Sequence, residues 1–289
     1  MMRDPRGNAT YWNDWVDFGE EEIAERMASI GQPTANADYL PQYIYGLSNK
    51  CYEQIIRRYS RGDSVEPLNS YFEGVLVAWE ESERLGKNVW SPQVQNLRHA
   101  WKLNLDHYIR CFWLTGLAST LKISDEQWRR LLALMGNEGK DALLDQVIAS
   151  RQPERKIGRT LCFPKPYQRL LEVVQAPEAQ RSKLLRDYLD GWFPGLKNAG
   201  HSSFPNDHRS PYWWNFCDDV ELGMKGGYFG CWCIEAVAVA KAFNIDDTLC
   251  LDHPNYPGDL IKDGRAPRYP DPVSPVHQTW IGRLLGRKD

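Results

Sequence analysis

One stretch toward the end of the chain limits the folds open to it. Gly226 to Phe243 reads G-G-Y-F-G-C-W-C-I-E-A-V-A-V-A-K-A-F, and its only charged residues are Glu235 and Lys241. Set on a helix, its apolar side chains cover every side instead of one stripe, and a helix of that kind is buried. The run is shorter than the ~20 residues that span a bilayer and holds a carboxylate, so it is expected as a core helix at about 227–243. A glutamate placed there must find a partner, be protonated, or line a site.

The rest of the chain reads as helices around that segment. From 41 onward, Tyr45, Cys51, Tyr52, Ile55, Ile56 and Tyr59 recur at helical spacing and Gly62 follows as a stop. Leu68, Phe72, Val75, Leu76 and Trp79 form a second stripe, with Glu66, Glu73 and Glu80 turned away from it. Ser91-Pro92 opens a third helix running past Trp113, and Ser124 with Gln127 is a capping box for a fourth. No alternating β pattern occurs, so the fold class is all-α: a two-part helical bundle. The expected division is an arm at 1–40, a helical domain at 41–150 and a basic, proline-rich linker at 151–166. A second helical domain follows at 167–262, then an extended tail at 263–289.

Composition removes several function classes. The formal net charge is -3 over 289 residues, so no global basicity calls for nucleic acid or an anionic membrane. No segment has the length and apolarity of a membrane span, and the first residues lack a secretory apolar run. Seven cysteines scattered through apolar helical patterns suit reduced, buried thiols in the cytoplasm better than a disulfide framework. The Gly136–Asp141 stretch lacks the glycine spacing and Ser/Thr of a phosphate loop and reads as a helix-helix turn. The cysteines lack zinc spacing, and Asp218, Asp219 and Glu221, which could bind a divalent cation as a nuclease centre does, have only Lys225 as a basic neighbour, so no metal and no cofactor is expected. The alternatives from other classes are a metal-dependent hydrolase using His201, His208, His253 and nearby aspartates, and a helical scaffold without a specific partner.

Charge is patterned more sharply than composition suggests. Between Phe216 and Asp259 stand eight acidic residues, among them Asp218, Asp219, Glu221, Asp246 and Asp247, against only Lys225 and Lys241. A second acidic run, from Asp14 to Glu25, reads as a short acidic helix or a solvated face. Acidic ground beside aromatic residues suits a basic protein partner, where complementary charge speeds encounter and a few buried anchors hold.

Two blocks carry a family resemblance. The first is Tyr43-Ile-Tyr45, Ile55-Ile-Arg-Arg-Tyr-Ser-Arg-Gly-Asp63, Phe72 and Trp79-Glu80. The second is Gly226-Gly-Tyr-Phe229, Trp232, Glu235-Ala236, Ala238, Asp246-Asp247, His253-Pro254, Tyr256-Pro257 and Asp259-Leu260. Together they resemble the PoNi family, immunity proteins to the PoNe polymorphic nuclease effectors. The resemblance implies a non-enzymatic, all-α protein of the bacterial cytoplasm. It would bind and neutralise a cognate toxin, typically a DNase delivered by a type VI secretion system, in a one-to-one or dimeric complex. The expected partner-binding residues are Asp218, Asp219, Glu221, Asp246 and Asp247, with Glu66, Glu73 and Glu80 as a second patch. The resemblance assigns the segment at Glu235 to the fold, so that carboxylate is expected to be buried and bonded to Arg57, Arg58 or a tyrosine.

Overall fold

A computed structural model describes residues 1–32 and 36–271, apart from the side chains of Asp207 and Val220. The chain is all-α, with twelve α-helices and no strand among the described residues. They are α1 (Ala9–Ser29), α2 (Leu40–Arg61), α3 (Phe72–Gly86), α4 (Pro92–His99), α5 (Leu105–Thr120), α6 (Asp125–Met135), α7 (Leu144–Ala149), α8 (Pro164–Gln175), α9 (Glu178–Leu196), α10 (Trp214–Asp218), α11 (Val220–Leu222) and α12 (Ile234–Ala242). Helices α1, α2 and α3 pack in sequence, α6 rests on α3, α8 pairs with α9, and α5 crosses α12.

The centre of the molecule is α5. Every residue from Leu105 to Thr120 is buried except Asp106 and Ser119. Gly116 faces α12, and a Cβ added there would stand 3.0 Å from both Ala238 and Ile234, so the glycine permits the close crossing of two buried helices. Helix α12 is apolar all round and buried from Ile234 to Ala240, as its composition requires. It is half the expected length. Residues 228–233 are buried in a non-helical run instead, and Gly223–Gly227 forms a π-turn with Gly226 at φ +109°. Gly230 also holds a positive φ, so the segment bends twice where a continuous helix was expected.

Three further local features position the elements. Ser91 caps α4 as expected, but Asn104 caps a separate helix, α5, by accepting from the His107 N–H. The first forty residues hold a full helix, α1, capped by Asn8 and buried through Trp12, Val16 and Gly19. The segment 151–166 is tied down: Arg155 donates to Asp145 at 2.8 Å, and the Cys162 N–H donates to Asp141 at 2.7 Å. The Gly136–Asp141 turn connects helices, with Asp141 accepting from the N–H groups of Leu143 and Leu144 at the start of α7.

The two ends of the described chain are clasped. Met2 and Tyr269 form an isolated antiparallel bridge, and Arg3 Nε donates to Asp259 at 2.6 Å with both side chains fully buried. Arg268 reaches the same Asp259, and Arg3 also holds Asp263. Of the tail expected at 263–289, the part from 272 lies outside the described residues.

Candidate partner-binding surface

Asp218, Asp219 and Glu221 are exposed where α10 breaks into α11. Asp219 causes the break: its carboxylate accepts from the Leu222 N–H at 3.0 Å and caps the short second turn. Asp218 and Glu221 make no ion pair among the described residues. Leu222, between them and the π-turn, is 39% exposed.

The π-turn joins this cluster to α1. Gly226 sits under the indole of Trp15, which a Cβ would overlap. Tyr11 donates its hydroxyl to the Tyr228 carbonyl at 2.7 Å. Helix α1 therefore runs beside the 218–222 cluster. Its exposed side carries Asp14, Asp17, Phe18, Glu21 and Glu25, which share one face by the 3.6-residue repeat. The acidic run read from the sequence is thus a long helix on the same ground as Asp218, Asp219 and Glu221. What united them was the Trp15–Gly226 contact, which no local pattern reveals.

The remaining expected residues separate. Asp247 is 4% exposed and bonded to Arg265 and to the Tyr256 hydroxyl, so its carboxylate is turned inward. Asp246 is exposed, but its carboxylate accepts from the Thr248 N–H and hydroxyl and turns the chain into the 248–250 helix that packs on α9. Glu66 is exposed on a 3-10 helix, while Glu73 and Glu80 lie on α3. Both α3 carboxylates are taken up by Arg130 of α6: a two-pronged contact to Glu80 at 2.8 and 2.7 Å and one to Glu73 at 2.6 Å. That stripe fastens α6 to α3.

Glu235 is fully buried, and its Oε1 accepts the Tyr167 hydroxyl at 2.9 Å. Its other oxygen has no hydrogen-bond partner. Burial raises the pKa of this carboxyl, opposed by its own backbone N–H, the Tyr167 hydroxyl and the nearby indoles of Trp113 and Trp192, whose N–H groups form no hydrogen bond. A tyrosine is the partner; Arg57 turns to Glu53, and Arg58 to Glu20 and Asp63. The histidines do not gather. His201 and His208 line a cleft of about 400 Å³ with Arg98 and Asp106, whereas His253 lies elsewhere, 3.7 Å from Asp190. No group of three His, Cys, Asp or Glu side chains is placed to hold a metal among the described residues. No described helix is long and apolar enough to cross a membrane.

No curated protein matches the chain. Among solved structures, the crystal structure of protein PA2201 from Pseudomonas aeruginosa is similar in fold, with TM-score 0.66 over 91% of each chain at 17% identity. Two family models match nearly end to end: PoNe immunity protein (PoNi), N-terminal, over residues 3–133, and PoNe immunity proteins (PoNi), C-terminal, over residues 139–260. With its all-α architecture and both halves matched, the chain belongs to the PoNi family of PoNe immunity proteins.

Proposed function

We propose that this protein binds and neutralises a cognate antibacterial nuclease, a DNase effector of a type VI secretion system, without catalysis of its own. It would act in the cytoplasm of the producing cell as a protein inhibitor. Its binding surface is proposed to centre on Asp218, Asp219 and Glu221. The observation that supports this is the cluster of exposed acids at the α10–α11 corner, bordered by acidic α1. Several acids read from the sequence are taken up by the body of the molecule: Glu73 and Glu80 by Arg130, Asp252 by Arg186, Asp247 by Arg265. At the α10–α11 corner, Asp218 and Glu221 have no ion pair among the described residues and stand beside exposed Leu222. A DNA-cleaving groove is basic because it must hold phosphates, so an exposed acidic surface suits it.

The test is co-expression with the nuclease encoded beside this chain. The reading expects a co-purifying complex and restored growth of cells that the nuclease otherwise kills. A nuclease that remains toxic and does not co-purify overturns it.

A further inference from the structure

We propose that the outer face of α1 is the strip on which the DNA-binding groove of the nuclease docks, its carboxylates standing in for a row of phosphates and Phe18 anchoring the contact. This rests on the immunity reading above and names the chemistry of the partner's surface: a groove lined by Lys and Arg, shaped for a phosphate backbone.

Helix α1 sorts its acids. Glu20 is held by Arg58 and the Tyr71 hydroxyl, and Glu22 by Lys50 and Arg26, all on the edges that meet the body of the molecule. On the outer face, Asp17 reaches Arg61 only at 4.0 Å, and Asp14, Glu21 and Glu25 have no ion pair among the described residues. Arg26 is the helix's only basic residue. A helix face that is merely solvated gains from basic residues three or four positions from its acids, and this face has none.

The spacing fits a nucleic-acid groove. At about 1.5 Å rise per residue, Asp14 to Glu25 extends about 16 Å. One DNA strand places a phosphate every ~3.4 Å of axis, so the four carboxylates cover the run of about five phosphates. Charge alone would not fix a register. Phe18 stands within the row, 51% exposed and edge-on to Trp15 with ring centroids 5.5 Å apart. A large aromatic side chain held out from the surface can bury in a partner's pocket as an anchor.

The strip is also preformed. Gln54 donates to the Val16 carbonyl at 2.7 Å, and Trp15 rests on Gly226. Docking therefore loses little conformational freedom on this side. None of the described residues packs over it.

The experiment uses the neighbouring nuclease, inactivated at its catalytic residue, and a short fluorescent DNA duplex bound to it. Wild-type protein should displace the duplex. The Asp14→Asn, Asp17→Asn, Glu21→Gln, Glu25→Gln combination should weaken nuclease binding about 10- to 100-fold at low salt and flatten its salt dependence. Phe18→Ala should weaken it about tenfold or more at every salt concentration. Neutralising Glu126, Glu154, Glu172 and Glu178 removes the same charge elsewhere and should change nothing. A folded four-carboxylate variant that binds as wild type refutes the strip and leaves the immunity reading standing, as does wild-type binding that leaves the duplex in place. Loss of self-association with nuclease affinity intact would give the face to a second copy and also refute the proposal. Wild-type protein that does not bind the nuclease at all refutes both.

Discussion

Replacing Tyr167 by Phe removes the one side-chain hydroxyl that donates to the buried Glu235 carboxyl, at 2.9 Å. The ring stays and no cavity opens, so the cost isolates the hydrogen bond. Because the second oxygen already has no partner, the variant leaves Glu235 without a side-chain hydrogen bond at 0% exposure. Hydrogen bonds to charged groups contribute about 1.5–3 kcal/mol, and a neutral one about 1 kcal/mol. The cost should therefore depend on the carboxyl's protonation. Burial raises the Glu235 pKa, so the group's contribution is fully present below the unfolded value and is lost as pH rises through the folded one. Tyr167→Phe should cost about 1 kcal/mol at pH values where the carboxyl is protonated, and up to about 3 kcal/mol at pH values above its raised folded pKa. Glu235→Gln should flatten that pH dependence. Urea unfolding followed by tryptophan fluorescence across this range reads both. A Tyr167→Phe penalty that is the same at both ends, or below about 0.5 kcal/mol throughout, would show that this hydroxyl does not stabilise an ionised Glu235. Both variants should still bind the nuclease; Glu235→Gln with wild-type stability but no binding would move this carboxyl from the core to the function.

Arg3→Ala should cost about 3–5 kcal/mol in urea unfolding, because it leaves Asp259 buried with half its salt bridges gone. Arg130→Ala should cost only about 1 kcal/mol, and less at high salt, since Glu73 and Glu80 are both well exposed; nuclease binding should be unchanged. Gly226→Ala should lose about 1–3 kcal/mol from backbone strain at φ +109°, and it should weaken nuclease binding by displacing Trp15 and α1. Against the upward push of burial, Arg61 and Arg58 hold the Asp63 carboxyl below its usual range. Its stabilisation is therefore present above the ordinary carboxylate pKa and lost as pH falls through the depressed one, and Asp63→Asn should blunt the acid limb of unfolding.

The fold class was legible because most helices declare themselves locally. Ser124 and Gln127 form the expected capping box at α6, and Ser91 with Pro92 opens α4. The failures have physical causes. A fully apolar run such as 228–243 has no periodicity to separate helix from buried extended chain, so the bends at Gly226 and Gly230 went unread. Asn104 looks like any asparagine until its side chain is seen capping α5. For the site, eight acidic residues between Phe216 and Asp259 overstated the surface charge. Glu235, Asp247 and Asp259 are interior, and Asp252 is matched by Arg186. Conversely, the run from Asp14 to Glu25 was legible as a short acidic helix or a solvated face, with nothing to place it. That it borders Asp218, Asp219 and Glu221 depends on Trp15 resting on a glycine far along the chain. Burial and long-range contact decide which acids remain for a partner, and neither is a property of local sequence.

If this protein silences a nuclease by binding it, inhibition should be visible in vitro with the two proteins alone. The most direct measurement is DNA cleavage by the purified neighbouring nuclease, titrated with this protein. Cleavage should fall in proportion to added protein and stop at stoichiometric amounts, with the inhibition relieved as salt rises. Cleavage that continues unchanged in a large excess of this protein, at low salt, would contradict it.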